Sequence, residues 1–207
     1  MNETFIRTLE EKILEFPIME YAFFKTDEIE FTKSVRYICE NECTRYGKSW
    51  SCPPNVGTIE ECIERCRKYE NCLLFSSIVE VESFQNFENC FRAKAQHEDL
   101  TYEVAKIFRE HTDDPLILST GCMICDECAY PDSPCRHKDR AFPTIESHGI
   151  LIVPVAEKHG ISFDCTEFTV TYFSLVFFNE KIIFLQPQSG AVFIWEKAET
   201  RSPAAKE

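Results

Sequence analysis

A chain of 207 residues suits one domain, long enough to bury most of its apolar surface without disulfide staples, so its 12 cysteines ask for another explanation. A formal net charge of −13 argues against a nucleic-acid partner, because phosphate contacts need a concentrated positive face. The longest apolar runs, such as Leu175–Phe178, fall far short of a membrane span, and the N-terminus has neither the basic start nor the apolar block of a signal peptide. The expected location is therefore a reducing cytoplasm, where clustered cysteines hold metal more often than they form disulfides.

Phe5, Ile6, Leu9, Ile13 and Leu14 recur at helical spacing and predict an amphipathic first helix, with Asn2 as its cap and Pro17 beyond its end. Tyr21–Lys25 and Glu28–Phe31 read as short strands about Thr26-Asp27, a hairpin leading into Val35–Ile38. A cysteine group follows, Cys39-x3-Cys43-x8-Cys52, with Pro53-Pro54 after its last member. Gly47 between them permits a sharp turn, and Tyr46 and Trp50 are placed either to shield a metal from water or to fill the core. Thr58–Tyr69 predicts a helix capped by Thr58, with Glu60 and Glu61 in its first turns. Cys62 and Cys66 share one face of it and Cys72 follows; small buried apolar residues are the ordinary reading of such cysteines, a further metal ligand the other.

Cys72–Val81 reads as a buried strand, and Phe84 to about Arg109 as the longest helix, on an imperfect stripe of Phe84, Phe87, Phe91, Leu100, Val104 and Phe108. His97 and His111 stand among charged residues and are expected to be exposed. Asp113-Asp114-Pro115 breaks the helix, and Leu116–Leu118 feeds the densest cysteine stretch. Beyond it Pro143–Ile150 suggests a helical turn with proline first, Leu151–His159 ends before Gly160, and Phe168–Phe178 with Lys181–Leu185 reads as a hairpin about Asn179-Glu180. The tail from Glu196 is polar.

Gly121–Arg140 carries Cys122, Cys125, Cys128 and Cys135, the first three spaced Cys-x2-Cys-x2-Cys. Zinc ribbons usually present two separated Cys-x2-Cys knuckles, whereas three cysteines at successive two-residue gaps is how ferredoxins offer ligands to a [4Fe-4S] cluster. Iron–sulfur is the first choice and zinc the second. Either Cys135 closes the set locally, or a remote cysteine does. Cys39, Cys43 and Cys52 lack a local fourth ligand, so a distant residue completes that set or one metal position stays open to a small ligand. Arg136, His137, Lys138 and Arg140 can offset thiolate charge, or form a solvated basic turn.

The segment Cys39, Cys43, Tyr46, Gly47, Cys52, Pro53, Pro54, together with Gly121–His137 and the block Pro143, Thr144, Glu146, Gly149, Ile150, resembles a prokaryotic family of predicted metal-binding proteins, domain-of-unknown-function family 2284. The resemblance runs from about Val35 to Leu185. It implies metal or iron–sulfur binding by the cysteines of the two signatures in cytoplasmic proteins, and attaches no activity. Cys62, Cys66, Cys72, Cys90 and Cys165 lie outside the signatures.

The sequence thus predicts one cysteine-rich domain over residues 1–195 and a polar tail over 196–207. The expected fold is α+β, a small antiparallel sheet packed by about three helices with metal loops at one end. The expected function is an iron–sulfur protein with one or two [4Fe-4S] clusters on Cys122, Cys125, Cys128, Cys135 and Cys39, Cys43, Cys52, serving electron transfer to a redox partner protein or a cluster-dependent reaction. The alternative is a zinc-stabilised interaction module. No constellation of His, carboxylate or Lys stands at catalytic spacing, so no reaction is assigned.

Overall fold

The computed structural model describes residues 3–83, 85–163 and 166–180. Among them a four-stranded sheet forms the middle layer: β1 (Glu20–Lys25), β2 (Asn71–Glu80), β3 (Leu116–Leu118) and β4 (Thr169–Phe178). The strands lie in the order β1-β2-β4-β3, and every pairing is antiparallel. Leu73 faces Phe23 in β1 and Val176 in β4, which puts β2 and β4 at the centre.

Those central strands are apolar on both faces because both faces are covered. On one side Leu73, Phe75, Val176 and Phe178 pack against Leu9 and Ile13 of α1 (Glu3–Ile13) and Leu100, Val104 and Phe108 of α4 (Phe87–His111). On the other, Cys72, Leu74, Leu175 and Phe177 meet Cys66 of α3 (Ile59–Arg67), Val155 and Ala156 of α5 (Ile152–Lys158), and Ile145 and Ile150. Alternate side chains of one strand thus feed two cores. With α2 (Ser34–Asn41), five α-helices surround the sheet among the described residues, more than the three the apolar periodicity suggested, and the α+β class stands.

The helix at Thr58 forms as its sequence predicts: the Thr58 hydroxyl accepts the Glu61 N–H at 3.2 Å, and the Glu61 carboxylate accepts the Thr58 N–H at 2.8 Å. The early hairpin does not form. Thr26–Glu28 is a 3-10 turn, Phe31 makes a bridge to Ile150, and Val35–Ile38 lies inside α2, while β1 takes its partner from the distant β2. A strand's partner is chosen by tertiary packing, and here β1 pairs along Asn71–Ser76, the buried first part of β2.

His97 also departs from expectation: it is 1% exposed. The long stripe around it is shifted as well, since Phe87 and Phe91 are 75% and 51% exposed and the core face of α4 begins at Ala93. Proline-initiated Pro143–Ile150 contains a 3-10 turn at Glu146–His148, closed by Gly149 at φ +75°. Asn2, Phe84, Cys165, Lys181–Leu185 and the tail from Glu196 lie outside the described residues.

Candidate metal centre

Between Leu118 and Ile145 the chain leaves the sheet and returns to it, and its neck is tied shut. Ser119 N–H donates to Pro143 O at 2.9 Å, and Ile145 N–H donates to Ser119 O at 3.1 Å. Helix α4 holds the same neck through Glu98, whose Oε1 accepts from the Ser119 hydroxyl (2.7 Å), the Thr120 hydroxyl (2.7 Å) and the Thr120 N–H (3.0 Å). The Ser119 and Ser174 hydroxyls are 2.7 Å apart, and His97 bonds Ser174 and Ser77 at 2.9 and 2.7 Å, so a buried polar chain runs from the loop neck along the α4-facing side of the sheet. At Gly121, φ is +106° and a Cβ would stand 3.0 Å from Thr144 Cγ2; the turn into Cys122 requires glycine.

The loop beyond that turn is irregular backbone, and the first cysteine segment is bound to it. Trp50 Nε1 donates to Ser133 O (3.0 Å), an Arg45 guanidinium N–H donates to Cys122 O (3.1 Å), and Thr144 N–H donates to Ser51 O (3.2 Å). Trp50 and Tyr130 meet edge to face at 5.0 Å. Cysteine groups some seventy residues apart are thereby set side by side.

Each group lines its own cavity. Cys122, Cys125, Cys128 and Cys135 share one of about 510 Å³ with Trp50 and Arg136. Cys39, Cys43 and Cys52 share a second of about 320 Å³ with Tyr46, Lys94 and Glu146. Arg45 lines both. The seven thiols are outside disulfides. Among the described residues no group of three or more Cys, His, Asp or Glu side chains is already gathered closely enough to hold a metal ion.

The donor sets nonetheless suit a thiophilic centre. Soft thiolates select iron–sulfur, zinc or copper(I) over hard cations. Burial raises the pKa of Cys128, but N–H groups of Tyr130 and Trp50, the Ser49 hydroxyl and Arg136 outweigh it, and the thiol lies below its usual value. His137 N–H donates to Cys135 Sγ at 3.4 Å. Elsewhere burial dominates: it pushes Cys122 and Cys52 up, and with Glu146 and Cys43 takes Cys39 to about 11. A bound cation reverses that balance, because ligation drives thiols to thiolates. Burial likewise depresses the Lys94 pKa and raises that of Glu146. Glu146 is nonetheless an exposed residue on the cavity wall, so water reaches its carboxylate and the upward push is moderated.

The basic residues after Cys135 divide by role. Arg136 and His137 line the four-cysteine cavity, and Arg136 also donates to Glu127 O at 2.7 Å. Arg140 instead pairs with Asp99 and lies over the Tyr102 ring, anchoring the loop on α4. Cys62, Cys66 and Cys72 are fully buried and line neither cavity; the Cys62 thiol donates to Val56 O at 3.3 Å, and Cys66 and Cys72 belong to the sheet core. Sequence reasoning overlooked Lys94 and Glu98. On a charged helix they look like solvated residues, and only the fold turns them toward the cysteine loops.

Among the described residues no helix is long and apolar enough to cross a membrane. A family model described as predicted metal-binding protein (DUF2284) matches residues 22–178, which span both cysteine groups and the whole described sheet except the start of β1. No curated protein and no solved structure matches the chain. Since the matched stretch takes in most of the chain, this protein belongs to that family of predicted metal-binding proteins.

Proposed function

We propose that the chain is a cytoplasmic iron–sulfur protein that receives electrons from, or passes them to, a redox partner protein. Cys122, Cys125, Cys128 and Cys135 hold one [4Fe-4S] cluster, and Cys39, Cys43 and Cys52 hold a second whose remaining position serves another ligand. The observation that carries this reading is the separation of seven thiols into two neighbouring cavities, four in one and three in the other. A bound cluster supplies one-electron redox chemistry.

The chain's own groups tune that chemistry. N–H donors at Cys128 and Cys135 and the Arg136 charge stabilise sulfur-centred negative charge, which favours the reduced state. Trp50 lines the four-thiol cavity and packs edge to face on Tyr130. Arg45 places a cation between the two cysteine groups.

Anaerobic purification followed by iron, zinc and acid-labile sulfide analysis tests the reading, with visible spectra before and after dithionite. Iron and sulfide in near-equal amounts, with colour that bleaches on reduction, are expected. Cys125→Ser should remove roughly half the iron of a two-cluster protein, while Cys66→Ala, in the sheet core, should leave the iron content unchanged. Zinc without sulfide or colour would overturn it in favour of a structural zinc module.

A further inference from the structure

The three-cysteine cavity holds more than thiols. Lys94 enters it from α4 and Glu146 from the 3-10 turn. Among the described residues, Lys94 and Glu146 attract each other but do not close into an ion pair, and Glu98 also acts on Lys94. Elsewhere opposite charges on this protein do close into contact, as Lys33 does with Glu60 and Lys158 with Glu28. Val35, Ile38 and Leu151 supply an apolar wall beside the two charges.

Charge compensation of the thiolates accounts for Lys94 and Arg45 but not for Glu146. A carboxylate on the wall of a three-thiol cavity adds negative charge where thiolates already concentrate it. A simple anion would be repelled by Glu146, and a simple cation by Lys94 and Arg45. A ligand that carries both charges satisfies both walls, and about 320 Å³ is near the small end of ligand-binding cavities.

We propose that the cavity over Cys39, Cys43 and Cys52 binds a small amino acid, its carboxylate against Lys94, its ammonium against Glu146 and its side chain along the apolar wall. This rests on the reading of the three cysteines as an incomplete ligand set, which would leave one position for a further ligand. Arg36 keeps that geometry: its buried guanidinium donates to Ser147 O at 2.7 Å and to Gly57 O, joining α2, which bears Cys39, to the turn that bears Glu146.

Isothermal titration calorimetry on the anaerobically iron- and sulfide-loaded protein tests the proposal, with glycine, L-alanine, L-serine and L-valine as probes. Propionate and ethylamine each carry one of the two charges of L-alanine. At least one amino acid should bind, and the single-charge analogues of alanine should bind about tenfold or more weakly than alanine, as loss of one buried charge-assisted contact implies. Glu146→Gln should erase the preference for alanine over propionate, and Lys94→Gln the preference for alanine over ethylamine, each compared with wild type at matched iron and sulfide content. Absence of binding by all four amino acids with iron in place, equal binding of propionate and alanine, or affinities indifferent to both substitutions would overturn the proposal while leaving the cluster reading intact. Wild-type protein that takes up no iron would overturn the cluster reading instead, and the same titration on that protein would then decide whether the cavity binds amino acids without it.

Discussion

His97 and His148 show how single residues set the response of this protein to pH. Both are enclosed as neutral imidazoles: burial pushes His97 down to about 3 and His148 to about 4, from an ordinary value of 6.5. His97 is held between the Ser77 and Ser174 hydroxyls; His148 faces Arg65, whose charge opposes a second cation. Unfolding returns each imidazole to its ordinary value, so between those limits the unfolded chain binds more protons than the folded one. Stability is therefore complete above about pH 6.5 and declines as pH falls toward the folded-state values, by up to about 1.4 kcal/mol per pH unit for each histidine. Urea midpoints measured across that window should show the decline, and His97→Gln, which keeps polar groups but does not titrate, should remove its share of the slope. An identical slope in wild type and variant would show that His97 titrates normally in the fold.

At the scale of elements, the local signals that matched the structure are those whose partners lie within a turn of helix. Thr58 and Glu61 satisfy each other's backbone N–H, so α3 begins where the sequence says it should. Thr58→Ala should cost about 1 kcal/mol in denaturant unfolding, the usual loss for an N-cap hydroxyl. The turn after Glu146 is held more tightly: Gly149 has φ +75°, and a Cβ there would stand 3.0 Å from both Thr32 O and Ile59 Cδ1. The β1 segment failed as a hairpin for the opposite reason. Tyr21–Lys25 alternates well enough to be a strand, but nothing within it states which strand will pair with it, and its partner lies across two intervening helices.

Over the whole molecule the formal charge of −13 shapes encounters with any electron donor. A negative field draws cationic reductants and repels anionic ones, and salt screens both effects within about 10 Å at 0.1 M ionic strength. Stopped-flow reduction of the iron-loaded protein by the methyl viologen radical cation should therefore slow as salt rises, whereas reduction by the dithionite-derived anion should quicken. Reversed trends, with viologen reduction quickening and dithionite reduction slowing as salt rises, would mean that local positive charge at Arg45 and Arg136, not the overall field, governs approach. For a partner protein the same field favours a basic docking face.

The sequence by itself determined the α+β class, the first and third helices, the buried central strands and the cysteine groups, because periodicity, capping and ligand spacing are written in residues a few positions apart. It also carried the membership of the metal-binding family, through two signatures whose combined spacing is specific. Only the tertiary structure decided that Trp50 reaches Ser133 and Arg45 reaches Cys122, which brings the two groups into adjacent cavities. The same folding buried His97 of α4 against the sheet and placed Lys94 and Glu146 on the wall of the three-cysteine cavity. A charged residue on an amphipathic helix has one local description whether it meets solvent or a cavity; the difference lies in what the rest of the chain packs against it.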